Sequence, residues 1–287
     1  MTQDQLHALA PVAEAKGAAV VARIRTLGSA LVAFSGGLDS ALLLALARQA
    51  LGARAIAFTA ISPAIASDEL DAARAVARQL GAEHIERRSH ELDDARYAAN
   101  PNNRCYFCKT ELYGLAEAEA RSRGLATILA GTNADELHDH RPGLIAAQER
   151  AILQPLADAN MTKDEIRALS LQLGLPTWNK PQQPCLSSRI PYGTAVTAER
   201  LAQLAQSEMG LRSLGLREFR VRYHGEVARI EVADDELPLL LEVRAQAATL
   251  LRAAGFRFIS VDLEAFRTGR LNEAAGLVAL GGRVPRA

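Results

Sequence analysis

The sequence carries no surplus of charge of either sign. Lysine and arginine together number 33, aspartate and glutamate also number 33, and the pI is close to 7.0. Proteins drawn non-specifically to nucleic acid usually present a basic surface, and no such global field exists here, although a local basic patch is compatible with these counts. The composition therefore argues against nucleic acid as a partner.

Long apolar runs are also missing. The run at 41–47 stops at Arg48, whereas a membrane-spanning helix needs ~20 apolar residues. The opening MTQDQLHALA lacks the basic and then apolar pattern of a secretory signal. We therefore expect no membrane partner and a cytoplasmic location.

Cysteine is scarce, with three residues at Cys105, Cys108 and Cys185. A small odd number excludes a disulfide scaffold and leaves catalysis, metal binding or inert burial in a cytoplasmic chain. Cys105 and Cys108 have C-x-x-C spacing, which is compatible with a redox dithiol, half of a zinc site or part of an iron–sulfur site. If Cys105 begins a helix, both sulfurs share one face and the helix N-terminus is expected to lower their pKa.

Strand-length and helix-length patterns alternate through the first half of the chain. Strands are predicted at 30–34, 55–59, 84–87 and 127–130, and the helices between them at 40–51, 67–80 and 105–123. This rhythm predicts an α/β fold with a parallel sheet and helices on both faces. A further helix is predicted after Thr162, because TKDE is a capping box.

The pattern changes after a stretch rich in proline. Residues 176–196 have no apolar period and include Cys185, so we interpret them as a functional loop. A helix, a two-stranded hairpin, a helix at 236–254 and a last strand follow, which predicts a smaller α+β domain. The predicted domains are therefore 1–175 and 197–287, joined by the loop.

The segment AFSGGLDSALLLALA (33–47) places a small-residue loop between the first predicted strand and its helix. Gly36 and Gly37 allow close backbone approach to a ligand, Ser35 and Ser40 add hydroxyl groups, and a helix N-terminus attracts phosphate. The two commonest nucleotide loops, GxxxxGK[ST] and GxGxxG, do not occur in the chain. The loop carries a carboxylate, Asp39, and no lysine. The alternative is an ordinary turn in which Asp39 caps the helix.

A second polar segment, GTNADELHDHRPG (131–143), follows the fourth predicted strand. It falls at the same edge of the sheet as SGGLDS, where ligands bind in such folds. Gly131, Asp135, Glu136, Asp139 and Arg141 are its candidates for contacts with Mg²⁺ and phosphate. Taken alone, a solvated polar loop is the simpler interpretation.

These segments, together with NRCYFCK (103–109) and PCLSSRIPYGT (184–194), resemble a known family in both content and order. SGGLDS resembles the loop of the PP-loop ATP pyrophosphatases, and the whole set resembles their LarE-type ATP-dependent sulfur transferases, which make the nickel-pincer cofactor of lactate racemase. The resemblance implies ATP binding by Ser35, Gly36, Gly37, Asp39, Ser40, Gly131 and Asp135. A carboxylate such as Asp39 is favourable beside phosphate when Mg²⁺ lies between them or nearby.

The family reaction is implied in the same way. ATP adenylylates a carboxylate of pyridinium-3,5-biscarboxylic acid mononucleotide with release of pyrophosphate, and sulfur then displaces AMP to give a thiocarboxylate. Cys185 falls at the sulfur-donor position, where sacrificial family members lose their cysteine sulfur. The three cysteines resemble instead the type in which Cys105, Cys108 and Cys185 hold a [4Fe–4S] cluster that supplies sulfur. We favour this cluster route, since the first two cysteines have no role in the other.

The anionic substrate needs cations, and arginine suits carboxylate and phosphate. Arg189 follows Cys185 by four residues, which makes it a candidate both for substrate binding and for favouring the thiolate. Arg220 and Arg222 are two apart on a predicted strand and so share a face, and a solvated strand face is the alternative. Glu208 is where the family keeps an acid, with surface exposure as the alternative. The family also implies a homo-oligomer.

Two other functions are compatible with these motifs. Some tRNA thiolases combine a PP-loop with C-x-x-C and one further cysteine, but the balanced charge argues against a tRNA partner. The third possibility is a non-catalytic iron–sulfur carrier or sensor that uses nucleotide only as a regulator.

Overall fold

The computed structural model describes residues 2–138, 142–267, 270 and 276. Asp139 and Arg141, two of the candidates for nucleotide contacts, lie outside the described residues. So does most of the end of the predicted second domain.

The first half of the chain forms a parallel sheet of four strands in the order β3-β2-β1-β4. The strands are β1 (Ala30–Ala33), β2 (Ala55–Ile61), β3 (His84–Arg88) and β4 (Ile128–Ala130). The central strand β1 pairs with β2 and β4 at once, for example through Leu31 opposite Ile56 and Ile128. Its residues are nearly all apolar because both faces of the sheet are covered. The predicted α/β class is confirmed.

Eight helices of the described residues accompany this sheet. They are α1 (Gln3–Arg25), α2 (Leu38–Leu51), α3 (Ser67–Gln79), α4 (Ala95–Ala98), α5 (Arg104–Ser122), α6 (Pro142–Glu149), α7 (Pro155–Asp158) and α8 (Lys163–Gln172). The capping box predicted for α8 is present, with Thr162 and Glu165 each accepting from the other's backbone.

The first helix, α1, has no counterpart in the predicted elements. Its buried residues are Leu6, Ala13, Gly17, Val20, Val21 and Ile24, but apolar residues such as Val12 also lie on the exposed face, so the helical period is weak. One of the buried residues, Gly17, lies where a Cβ would be 2.6 Å from the Leu169 side chain. Small residues here let α1 and α8 pack closely, a requirement that is visible only once the two helices are side by side.

The second half forms a three-stranded mixed sheet in the order β5-β6-β7. Its strands are β5 (Phe219–His224), β6 (Val227–Val232) and β7 (Phe258–Val261), and its helices are α9 (Ala198–Ser213), α10 (Leu237–Glu242) and α11 (Arg244–Ala253). The predicted hairpin is β5 and β6, paired antiparallel, while β7 adds parallel to β6. The single helix expected at 236–254 is interrupted at Val243, which ends α10 and precedes α11.

The Pro-rich loop is packed between the two halves. Its residues Leu186, Ile190 and Val196 belong to the apolar core of the second sheet, and Ala64 and Tyr97 from the first half belong to the same core. The loop is therefore part of the folded structure. The boundaries at 175 and 197 stay a prediction.

Helices long and apolar enough to cross a lipid bilayer do not occur among the described residues.

In the loop SGGLDS (35–40), the backbone of Gly36 packs closely against α3. Its backbone is left-handed, with φ of +69°, and a Cβ at this position would lie 2.5 Å from Cα and Cβ of Ala73 in α3. Only glycine therefore allows α3 to pack against the turn between β1 and α2.

Replacing Gly36 by alanine should lower the free energy of unfolding by about 2–5 kcal/mol, because strain in the left-handed backbone is added to overpacking against Ala73. Urea denaturation measures this. Gly124→Ala is the matched control, since its φ is +64° and no atom lies within 4 Å of the added Cβ. The control should cost only about 1–2 kcal/mol. Equal losses in the two variants would contradict the contact with Ala73.

Candidate functional site

The loop SGGLDS lies at the carboxyl end of β1, where it turns into α2. Gly37 is the N-cap of α2 and provides no side-chain cap, and Asp39 lies in the first helical turn. The simple alternative in which Asp39 caps the helix is therefore wrong. Ser35 and Ser40 brace the turn: the Ser40 hydroxyl accepts from the Ser35 N–H at 3.2 Å, and the two hydroxyl oxygens are 3.1 Å apart. The N-terminus of α2 therefore has no side-chain cap of its own.

Three separate segments meet at Asp39. Its carboxylate accepts from the Asn133 amide at 3.1 Å and from the Lys163 ammonium at 2.5 Å. The backbone N–H of Lys163 donates to the Asp135 carboxylate at 2.7 Å. Gly131 makes this meeting possible, because a Cβ there would lie 3.1 Å from the backbone nitrogen of Ser40. The two loops predicted to share one edge of the sheet do lie together.

Lys163 is a residue of this candidate site that sequence reasoning missed. It is the first residue of α8, and the capping box fixes the place at which that helix begins. Lys16 of α1 reinforces this position by pairing with Glu165 at 2.7 Å. The TKDE signal was therefore the available clue, although it predicted a helix boundary and not a cation aimed at Asp39.

A second lysine reaches the same loop from the Pro-rich segment. The Lys180 ammonium lies 2.6 Å from the Glu69 carboxylate of α3 and donates to the Gly36 carbonyl at 3.3 Å. The loop without a lysine is thus supplied with two cations by distant parts of the chain. An acidic phosphate loop becomes physically reasonable once these neighbours are counted.

The three cysteines come together at the start of α5. Cys105 and Cys108 lie in its first turns, and Cys185 precedes a short 3₁₀ helix at Leu186–Arg189. The backbone N–H of Leu186 donates to the Ala64 carbonyl at 2.8 Å, which holds Cys185 beside the segment that follows β2. Cys105 and Cys185 are exposed and Cys108 is half-buried.

The thiol pKa values differ from the expectation. Desolvation by the surrounding protein raises the pKa of Cys105, and raises that of Cys108 to about 12, with the nearby Cys185 thiolate adding in both cases. The helix N-terminus was expected to lower them, but loss of hydration and mutual repulsion dominate. Cys105 and Cys185 nevertheless reach the surface, so these two thiols are accessible from solvent. Among the described side chains, no group of three or more cysteine, histidine or acidic residues is arranged to hold a metal ion.

Four arginines hold the segment that carries Cys185. Each donates to one or more backbone carbonyls of residues 182–188: Arg220 to Gln182, Arg189 to Pro184 and Cys185, Arg104 to Ser187, and Arg222 to Ser188, at distances of 2.6–3.1 Å. A loop with no regular secondary structure around Cys185 is thereby fixed by side chains from both halves of the chain.

The centre of this arrangement is a buried ion pair. Arg189 and Glu208 are each 1 % exposed, and the guanidinium makes two parallel contacts of 2.9 and 3.0 Å to the carboxylate. Burial raises the pKa of Glu208, but the Arg189 charge and hydrogen bonds outweigh it and leave that pKa below its ordinary value. Glu208 also accepts from the backbone N–H of Val221. Surface exposure, the alternative for Glu208, is excluded.

The three arginines predicted to bind substrate, Arg189, Arg220 and Arg222, differ in whether their charge is already paired. All three guanidinium nitrogens of Arg189 donate, to Glu208, to Ser188 and to the loop carbonyls. Arg222 is paired with Glu231 at 2.7 Å. Arg220 is 3 % exposed, stacks 4.6 Å from the Phe266 ring and makes no ion pair among the described residues. Desolvation, together with the Arg189 charge, lowers the pKa of Arg220 to about 10. Of these three arginines, Arg220 is the one whose charge is not offset by an ion pair among the described residues.

Glu208→Gln should lower the free energy of unfolding by about 3 kcal/mol at neutral pH, because it leaves Arg189 charged and buried beside a neutral partner. The ordinary pKa of Glu208 is 4.5 and the folded value is lower. Ionised Glu208 therefore stabilises the fold fully above about pH 4.5, and this contribution disappears as the pH falls through the folded pKa. Urea denaturation as a function of pH should show a shallower acid loss in the variant.

The matched control is Glu83→Gln, which removes a surface pair with Arg123 at 2.6 Å. It should change the free energy of unfolding by less than about 1 kcal/mol. If the two variants behaved alike, the central role of the buried pair would be refuted.

Comparison with known proteins places this geometry in context. Residues 12–139 match the family model described as asparagine synthase. An uncharacterised protein of Synechocystis sp. is 41 % identical over 86 % of this chain and 92 % of its own length. Pyridinium-3,5-bisthiocarboxylic acid mononucleotide synthase of Lactiplantibacillus plantarum is 36 % identical over 90 % of this chain and 94 % of its own. An uncharacterised protein of Methanocaldococcus jannaschii is 27 % identical over 83 % and 90 %.

Proposed function

We propose that this chain, which belongs to the LarE-type family of pyridinium-3,5-bisthiocarboxylic acid mononucleotide synthases, inserts sulfur into a pyridinium mononucleotide in an ATP-dependent reaction of nickel-pincer cofactor biosynthesis. The observation that supports it best is the meeting of SGGLDS, the loop 131–138 and the start of α8 around Asp39. A helix N-terminus with hydroxyl groups and a lysine beside it suits a polyphosphate.

The nucleotide half of the site has the groups that the first step requires. A substrate carboxylate oxygen attacks the α-phosphorus of ATP, the bond to the β-phosphate oxygen breaks, and pyrophosphate leaves. Ser35, Gly36, Gly37 and Ser40 are proposed to hold the phosphates through N–H and hydroxyl groups. Lys163 supplies a cation for the departing pyrophosphate from its fixed place at the start of α8.

Magnesium is expected beside the same phosphates. Asp39 and Asp135 are the carboxylates that would hold it, and two carboxylates completed by phosphate oxygens and water are a usual set for this ion. Bound Mg²⁺ would offset the charge of the leaving pyrophosphate. Lys163 contacts both residues now, its ammonium on Asp39 and its N–H on Asp135.

The second step places sulfur on the activated carbon. A sulfur nucleophile attacks the acyl carbon of the adenylate, and AMP leaves as the carbonyl reforms. Arg220 is proposed to hold a substrate anion, with Arg222 beside it. Arg189 and Glu208 are proposed to act by fixing the loop that carries Cys185, since they already form an ion pair with each other.

The source of the sulfur is proposed to be a [4Fe–4S] cluster held by Cys105, Cys108 and Cys185. Thiols are the donor chemistry that such a cluster takes, but the described side chains are not arranged as a ligand set, so the three cysteines would have to close around bound iron. The raised pKa values of Cys105 and Cys108 reflect burial and repulsion that deprotonation by bound iron would overcome. A bound cluster would supply sulfide sulfur. The alternative is sacrificial: the Cys185 thiolate itself attacks, and cleavage of its Cβ–S bond with loss of the α-proton leaves dehydroalanine.

The activity is tested first by its nucleotide products. With ATP, Mg²⁺ and a carboxylated pyridinium mononucleotide, chromatography should show AMP and pyrophosphate. Asp39→Ala should reduce adenylylation by ~100-fold or more while stability changes little, because the residue acts on phosphate and metal rather than on the core. Asp71→Ala, on the exposed face of α3, is the control that should keep full activity.

Accumulation of ADP and phosphate would refute the assignment. A tRNA thiolase would instead show a salt-dependent shift of tRNA, and a nucleotide-regulated carrier would release no AMP with any such substrate.

The sulfur source is tested with the three cysteines. In the cluster route Cys105→Ser, Cys108→Ser and Cys185→Ser should each remove the iron chromophore and sulfur transfer together. Intact-protein mass spectrometry after anaerobic turnover should find the wild-type mass unchanged. Loss of the mass of one H₂S, with the Cys105 and Cys108 variants still active, would establish the sacrificial route.

A further inference from the structure

The segment between Trp178 and Cys185 connects the two ends of the proposed reaction. Trp178 packs on the core of the first sheet, and its carbonyl accepts from Arg167 of α8 at 3.2 Å. Residues 182–188 are held by arginines, three of them from the loop itself and the second sheet. Between these anchors lies Lys180, whose ammonium contacts the nucleotide loop at the Gly36 carbonyl.

The Lys180 ammonium lies at the loop where a phosphate group of the nucleotide would bind. Its present partner is Glu69, at 2.6 Å, and both side chains are about one-fifth exposed. A polyphosphate bound at Gly36 and Gly37 brings several negative charges to within reach of the ammonium, and it competes with a single carboxylate for it. Nucleotide binding therefore favours transfer of Lys180 from Glu69 to a phosphate oxygen.

A displacement of Lys180 would be passed on to Cys185. Residues 180–185 form no helix or strand, and hydrogen bonds from Arg220 and Arg189 to the carbonyls of residues 182, 184 and 185 hold them. Pro181 and Pro184 restrict the backbone of this stretch, so that a shift at one end is less easily absorbed by rotation within it. The chain spans at most ~17 Å over five residues, which keeps Cys185 close to any group that Lys180 binds.

We propose that Lys180 is a positioning residue that couples nucleotide occupancy of the SGGLDS loop to the position of Cys185, by exchanging Glu69 for a phosphate of ATP. The inference rests on the proposed function, because the nucleotide must bind at this loop. It gives the reaction an order: Cys185 is positioned while Lys180 holds a phosphate at the loop, first that of ATP and then that of the acyl-adenylate formed from it.

Two variants test the exchange through nucleotide affinity. Glu69 competes with ATP for Lys180, so Glu69→Gln should bind ATP with Mg²⁺ about 3- to 10-fold more tightly than wild type in calorimetry. Lys180→Met should bind it about tenfold more weakly. A lysine that only braces the loop through Glu69 would give the opposite sign for Glu69→Gln.

The coupling itself is measured on Cys185 in the full chain. Alkylation by iodoacetamide is followed by peptide mass spectrometry, with Cys105 as an internal reference, with and without saturating ATP and Mg²⁺. In the wild type ATP should slow alkylation of Cys185 at least threefold. In Lys180→Met at saturation it should not. Arg74→Met is the matched control, since it removes a cation from α3, the helix that carries Glu69, but not from the nucleotide loop or from this segment, and it should keep the response.

Three results would overturn the proposal: a persistent response in Lys180→Met, no response in wild type that binds ATP, or weaker binding by Glu69→Gln. These outcomes differ from failure of the proposed function, in which the wild type binds no ATP or forms no AMP. If Lys180→Met did not fold, the Glu69→Gln affinity and the wild-type response would still decide.

Discussion

The buried pair between Arg189 and Glu208 is the interaction on which the arrangement of the site depends. Each group would be costly alone in the interior, so each requires the other. Arg189 uses its remaining donors on the carbonyls of Pro184 and Cys185. The pair therefore fixes an irregular loop at Cys185, for which a role in sulfur transfer is proposed, and it ties that loop to α9 and β5.

The charged side chains of the site form two regions that differ in how their charges are paired. On the nucleotide side the carboxylate Asp39 is matched by Lys163, and Glu69 by Lys180, so each acid holds a lysine for which a bound phosphate would compete. On the cysteine side arginines exceed their partners, and Arg220 is left without an ion pair among the described residues. The first region suits an exchange of ions, and the second suits retention of an anion.

Much of the fold and part of the site could be predicted from local patterns. The apolar run before SGGLDS marked β1, and the helical run after it marked α2, because both signals are carried by neighbouring residues. The same reasoning put the loop 131–138 at the same sheet edge. It missed α1, whose exposed face also carries apolar residues and so weakens the helical period, and it gave Asp39 no partner. Lys163 and Lys180 lie 124 and 144 residues from their partners in the loop, beyond any local signal.

The sequence by itself determined the order of strands and helices, the parallel class of the first sheet and the motifs that carry the family resemblance, because these depend on short-range patterns. Only the tertiary structure decided which charged side chains form ion pairs and which do not. Arg189 and Arg220 look alike in the sequence, yet one is paired inside the protein and the other is not. The reason is physical: burial and the distance to an opposite charge set the energy of an ionised group, and both come from segments far apart in the chain.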